Sequence, residues 1–123
     1  MNCFGKKVLV VDDEAHLRDL LQSLLELYDI STSCASNGEE CLLMLESSLP
    51  DLVLLDVMMP GMDGWEVFHR IKEKYEHLPV VLLTARNHGF DKMMGLDILK
   101  ADDYITKPFD NDELIECVCN LLD

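Results

Sequence analysis

Apolar and polar positions along this chain follow two rhythms in turn, one of strands and one of helices. Lys7–Val11 is an apolar run stopped by Asp12 and Asp13. From about Glu14 to Tyr28, Leu17, Leu20, Leu21, Leu24, Leu25 and Tyr28 recur at the spacings of one helical face. Ile30–Ala35 reads as a weaker strand dotted with polar residues, as suits a sheet edge. Asn37 with Glu40 has the form of a capping box and opens a helix to about Leu45. Pro50 precedes Leu52–Leu55, a continuous apolar run that ends at Asp56 and is typical of a strand buried on both faces. Pro60-Gly61 marks a turn, and Asp63 with Glu66 caps a helix through roughly Tyr75. Pro79 precedes Val80–Leu83, which ends at Thr84. A shorter helix is predicted within Asp91–Leu99, and a last strand over Tyr104–Thr106 ends at Lys107-Pro108. Asp110 and Glu113 cap a final helix whose apolar stripe includes Leu114, Ile115, Val118 and Leu122.

Five strands alternating with five helices predict an α/β fold. The continuous apolar strands favour a parallel, doubly wound sheet. There is no internal repeat, linker or low-complexity stretch, so residues 1–123 read as one domain, long enough to bury a single core.

Composition changes this picture in three places. With 49% hydrophobic and 28% charged residues, the chain is globular rather than disordered. Its longest apolar runs are too short to cross a bilayer. The N-terminal segment is interrupted by Asp12 and Asp13 and lacks the form of a signal peptide, so no membrane association and a cytoplasmic location are expected. The formal charge of −14 repels phosphate backbones and argues against direct nucleic-acid binding, while it would tolerate a cation well. Five cysteines, an odd number without dense spacing, suggest reduced thiols acting as small hydrophobes. Cys117 and Cys119 diverge on a helix and make a poor metal pair, and His16, His69, His77 and His88 have no metal-binding spacing.

Ligands of an open parallel sheet bind beyond the carboxyl ends of its strands, so the residues that end the strands carry the information. They are Asp12 and Asp13, Asp56, Thr84 and Lys107. Singly, each has an ordinary reading: a helix cap for Asp13, a turn former for Asp56, a hydroxyl bonding its own backbone for Thr84, a loop charge for Lys107. Jointly they place three carboxylates, a hydroxyl and an ammonium at one edge. Clustered carboxylates repel one another unless a cation intervenes, and hard oxygen ligands suit Mg²⁺. Lys107 neutralises part of the remaining charge, Thr84 can donate to a phosphoryl oxygen, and a carboxylate can attack phosphorus to form an acyl phosphate.

The segments VLVVDDE (Val8–Glu14), DLVLLDVMMPGMDG (Asp51–Gly64), VVLLTAR (Val80–Arg86) and ADDYITKPF (Ala101–Phe109) carry a resemblance. In order and mutual spacing, across essentially the whole chain, they resemble the receiver domain of two-component response regulators. The resemblance implies a flavodoxin-like (βα)5 fold with a five-stranded parallel sheet of order 2-1-3-4-5. It implies that Asp56 is the phosphoacceptor, charged in a Mg²⁺-dependent reaction by the phosphohistidine of a histidine kinase or phosphotransfer protein. Asp13, Asp56 and the backbone carbonyl of Met58 would bind the metal directly, and Asp12 through a water. Thr84 and Lys107 would contact the phosphoryl group, with the Lys107–Pro108 peptide cis. Tyr104 takes the place of the switch aromatic that moves with Thr84; it also reads as a half-buried edge aromatic. Met58 and Arg86 flank the site where the family modulates phosphoryl lifetime. The first helix, with His16 and Asp19, is the implied kinase-docking surface. Output would pass to a downstream effector protein or domain, or to a homodimer, through the face of the fourth helix, fifth strand and fifth helix. One departure is Lys100, where the family usually has Gly, which bears on how the fourth helix ends. Met93, Met94, Leu96 and Leu99 read either as core or as a partner surface.

Two other functions compete. A phosphatase or phosphotransferase with Asp56 as nucleophile usually carries a second acid two residues on, where this chain has Met58. A flavin-binding electron carrier needs a hydroxyl- and glycine-rich loop after the first strand, where this chain has Asp12-Asp13-Glu14.

Overall fold

The computed structural model describes residues 3–57, 64–85 and 102–123. Five strands form one parallel sheet: β1 (Lys7–Val11), β2 (Ser31–Ala35), β3 (Leu52–Asp56), β4 (Val80–Ala85) and β5 (Asp103–Lys107). Their order is β2-β1-β3-β4-β5, the order that the family resemblance implied for the doubly wound sheet. Four helices lie among the described residues: α1 (Ala15–Glu26), α2 (Gly38–Ser47), α3 (Gly64–Lys74) and the C-terminal α4 (Asn111–Leu122). The helix expected within Asp91–Leu99 and the exposed-or-core question for its methionines lie outside the described residues. So do Lys100, the Pro60-Gly61 turn and the Asp63 cap.

The sheet divides the core into two layers because alternate strand residues point to opposite faces. On one face Leu9, Val53, Leu55 and Leu82 pack against α2 and α3 through Leu45, Phe68 and Ile71. On the other, Val8, Val10, Leu54 and Leu83 pack against α1 and α4 through Leu21, Leu25, Leu114 and Val118. The central strand β3 is buried along its whole length, as its unbroken apolar run requires. The polar β2 lies at the edge, with only Ala35 buried.

Local polar groups start and stop the helices. The Asn37 side chain accepts from the Glu40 amide at 2.8 Å, and that of Asp110 accepts from the amides of Asp112 and Glu113. Glu40 itself accepts from the Ser36 hydroxyl rather than closing the box on Asn37. Helix α1 ends earlier than its apolar spacing predicts. Asp29 takes a left-handed φ of 60°, the Ile30 amide donates to the Leu25 carbonyl, and the Asp29 amide donates to Glu26. This is a Schellman-type stop with Asp in glycine's usual place, which is why the sequence hid it. Leu20 and Tyr28, expected on the buried face, are exposed at 46% and 40%.

The cysteines need a second correction. Cys3 and Cys119 form a disulfide with a Cα–Cα distance of 5.1 Å, while Cys34, Cys41 and Cys117 are free thiols. The pair is 116 residues apart in sequence. Only the packing of the segment before β1 against α4 brings it together, and no local spacing could announce that.

Candidate functional site

Strand register assembles the candidate residues. Val11 of β1 pairs with Leu55 of β3, so Asp12 and Asp56 emerge side by side at the carboxyl ends of adjacent strands. Asp56 pairs with Leu83, placing Thr84 one residue further out on β4, and Ala85 pairs with Lys107 on β5. Asp12, Asp56 and Thr84 are the buried polar residues among the described ones, at 0%, 3% and 0% exposure. Burial of ionised carboxylates requires compensation, and the long arm of Lys107 supplies it. Its Nζ donates to Asp12 Oδ2 at 2.8 Å and to Asp56 Oδ2 at 3.2 Å. Burial by itself pulls the Lys107 pKa down. The hydrogen bond to Asp12 and the charges of Asp56 and Asp12 together outweigh it, and the net shift is upward. The ammonium therefore stays charged. The Lys107–Pro108 peptide is cis.

One carboxylate oxygen each from Asp12, Asp13 and Asp56 lies within 4.8 Å of the others. Neighbouring ligands of an octahedral ion at about 2.1 Å are roughly 3–4 Å apart, so the cluster is within a small side-chain adjustment of a hard-cation site. All the donors are oxygens, which suits Mg²⁺. Asp13 is exposed, whereas Asp12 is sealed below it, so the opening lies on the Asp13 side.

The loop that carries Asp12 and Asp13 is held from several directions. The Asp12 amide donates to the Ala35 carbonyl at 3.1 Å, tying the loop to the end of β2. The Glu14 amide donates to Asp12 Oδ1 at 2.9 Å. Arg18 Nη1 donates to the Asp12 carbonyl at 2.8 Å. Sequence reasoning missed Arg18. The signal available to it was a cation in the first turn of a helix, against the helix dipole. After β3, Val57 donates its amide to Leu83 and lies against Gly64, where an added Cβ would sit 2.3 Å from Val57 Cα. Only glycine lets α3 begin this close to the strand end that bears Asp56.

Tyr104, on β5 in register with Leu82, is 39% exposed and faces outward. Met58 and Arg86 lie outside the described residues. Among those residues, an apolar cleft lined by Lys7, Met44, Leu49 and Pro50 sits at the amino end of β1, remote from the carboxylates. No helix there is long and apolar enough to cross a membrane.

Comparison with known proteins agrees with this geometry. The family model described as the response regulator receiver domain matches residues 8–119. A response regulator protein from Thermotoga maritima, TrrA, solved in complex with Mg²⁺ and BeF, is 41% identical. That match covers 94% of this chain and 98% of the other at a TM-score of 0.85. A CheY-like receiver domain protein from Methanospirillum hungatei is 42% identical over 89% of this chain and 88% of its own, with a TM-score of 0.78. The receiver domain of a signal transduction histidine kinase from Syntrophus aciditrophicus is 33% identical over 96% and 90%, with a TM-score of 0.88. With its fold, its strand-end carboxylates and these relatives in agreement, the chain belongs to the response regulator receiver domain family, the phosphoacceptor modules of two-component signalling.

Proposed function

We propose that Asp56 is the phosphoacceptor and that Asp12, Asp13, Thr84 and Lys107 serve it, with the whole chain acting as one cytoplasmic receiver domain. The observation that carries this reading is the sharing of one ammonium, Lys107 Nζ, by the buried carboxylates of Asp12 and Asp56. A carboxylate oxygen of Asp56 attacks the phosphorus of a phosphohistidine offered by a histidine kinase or phosphotransfer protein. The new O–P bond forms as the N–P bond breaks, and its electron pair leaves with the imidazole nitrogen. Lys107 neutralises charge on the arriving phosphoryl group and remains bonded to Asp12. Thr84 donates its hydroxyl to a phosphoryl oxygen.

Asp13, Asp56 and the Met58 carbonyl would hold Mg²⁺, with Asp12 acting through a water. When bound, the ion neutralises charge on the transferring oxygens and orients them. The chain's own part is positioning and charge compensation, and it turns over no substrate beyond assisting its own phosphorylation and dephosphorylation. Movement of Thr84 toward the phosphoryl group draws Tyr104 inward from its exposed position. That biases the face to which β5 and α4 contribute, which a downstream effector or a second copy reads.

Intact mass after incubation with a small phosphodonor and Mg²⁺ tests the reading. One phosphoryl group on the wild type and none on Asp56→Asn is the expected result. Equal labelling of both proteins refutes the assignment.

A further inference from the structure

Helix α1 opens against the usual rules. Its N-cap, Glu14, makes no side-chain cap bond, and no acidic residue occupies the first turn. A cation, Arg18, stands there instead, where the helix dipole disfavours it. Breaches of local preference without a packing reward mark functional positions. The Arg18 side chain is half-buried and turns back toward the loop, donating from Nη1 to the Asp12 carbonyl at 2.8 Å. That carbonyl belongs to the peptide linking Asp12 to Asp13, so fixing it fixes the plane from which the Asp13 side chain departs. The other restraints in this loop act on Asp12: its amide on Ala35, its Oδ1 on the Glu14 amide, its Oδ2 on Lys107. The exposed Asp13 makes no side-chain hydrogen bond or ion pair among the described residues and takes its direction from the backbone. The charge of the same guanidinium is felt by the Cys34 thiol on β2. Burial raises that thiol's pKa, and Arg18 acts against the rise.

We infer that Arg18 is a positioning residue for the metal site: by holding the Asp12–Asp13 peptide, it orients the Asp13 carboxylate toward the cation shared with Asp56. The inference rests on the reading of Asp12, Asp13 and Asp56 as the Mg²⁺ site. It makes a statement opposite in sign to simple electrostatics. Removing a positive charge near three carboxylates should, by Coulomb's law, tighten binding of a divalent cation. Loss of positioning weakens it.

The test is Mg²⁺ binding by titration calorimetry on wild type, Arg18→Met and Arg18→Lys, with melting temperatures measured without metal. Arg18→Met keeps the apolar stem and removes the donor and the charge. Its Mg²⁺ dissociation constant is expected to rise about tenfold, the low end of the usual effect of removing a residue that orients a metal ligand. Arg18→Lys keeps one donor and is expected to recover part of that loss. Phosphorylation by a small phosphodonor should need correspondingly more Mg²⁺ to reach half its maximal rate, with the maximal rate at saturating Mg²⁺ largely retained. Arg18→Met binding Mg²⁺ as tightly as wild type or more tightly overturns the inference, as does Arg18→Lys binding more weakly than Arg18→Met. Should Arg18→Met fail to fold, Arg18→Lys is compared with wild type by itself, and no weakening of Mg²⁺ binding overturns the inference. Wild-type protein that binds no Mg²⁺, or Asp56→Asn that still accepts a phosphoryl group, refutes the underlying site reading instead.

Discussion

Replacing Lys107 with methionine isolates what the ammonium does for the metal-free protein, since methionine keeps an unbranched apolar arm and removes only the charge. In the native fold Nζ lies 2.8 Å from Asp12 Oδ2 and 3.2 Å from Asp56 Oδ2, and the side chains of these two residues, taken alone, are 0% and 5% exposed. Breaking a buried pair by removing one partner costs about 3–5 kcal/mol, because the other charge is left uncompensated. Here two carboxylates lose the same partner and then repel each other. Against that, the Lys107 side chain is 22% exposed, so water already shares part of its charge. About 3 kcal/mol is the resulting expectation, or a fall in melting temperature of roughly 10 °C for a domain of this size. The assay is urea unfolding followed by fluorescence of Trp65, the chain's one tryptophan. It is run first with a chelator and then along a Mg²⁺ titration.

Mg²⁺ stabilises any folded state that binds it, and it should bind the more negative site of Lys107→Met more tightly. The stability gap between the two proteins is therefore expected to narrow as Mg²⁺ is added. The pH dependence has a definite sign. Asp12 and Asp56 raise the folded-state pKa of Lys107 against the opposing effect of burial. The stabilisation is then fully present below the ordinary lysine value and is lost as pH rises through the folded one. The gap should be flat near neutrality and close only at strongly alkaline pH. A Lys107→Met protein as stable as wild type without metal, or a gap that Mg²⁺ widens, refutes the reasoning.

Three further outcomes are expected, the first two from named contacts and the third from the family resemblance. Gly64→Ala places a Cβ 2.3 Å from Val57 Cα and 2.7 Å from its carbonyl carbon and oxygen. Backbone must shift, at a cost of about 3 kcal/mol, and Mg²⁺ affinity should fall with it because Val57 follows Asp56; unchanged stability and binding would refute this. Cys117 donates its thiol to Asp103 Oδ2 at 3.2 Å, and burial with Asp103 pushes its pKa up to about 12. Its alkylation at mildly alkaline pH should be slow and should accelerate in Asp103→Asn, as peptide mapping can show. By the family resemblance, the apolar residue at Met58 and the long cation at Arg86 should together hinder an attacking water. The phosphoryl group should accordingly last longer on wild type than on a Met58→Asn, Arg86→Glu variant, and a slower loss from the variant would refute that.

The parts of this molecule that were legible in its sequence are those where one residue type answers to one local requirement. Leu52–Leu55 is apolar throughout because β3 is covered on both faces, and β2 is polar because it is an edge; strand order could be inferred from those two facts and the family resemblance. Asp12, Asp56, Thr84 and Lys107 were visible because each ends a strand, and a parallel sheet gathers its strand ends without further instruction. What stayed hidden depends on geometry that no fixed spacing encodes. The stop of α1 used Asp29 where a reader looks for glycine, so Tyr28, which lies beyond the helix, was assigned to its buried face. The Cys3–Cys119 bond joins residues at the two ends of the chain. Arg18 belongs with these, since its effect passes through a backbone carbonyl and leaves no paired residue type to search for. Yet it did leave one mark, a cation where the helix dipole disfavours it. A residue set against its local preference is the trace a long-range requirement leaves in a sequence. In this chain that trace falls in the first turn of the helix that follows the candidate metal-site carboxylates, where a misdirected peptide would do the most harm to them.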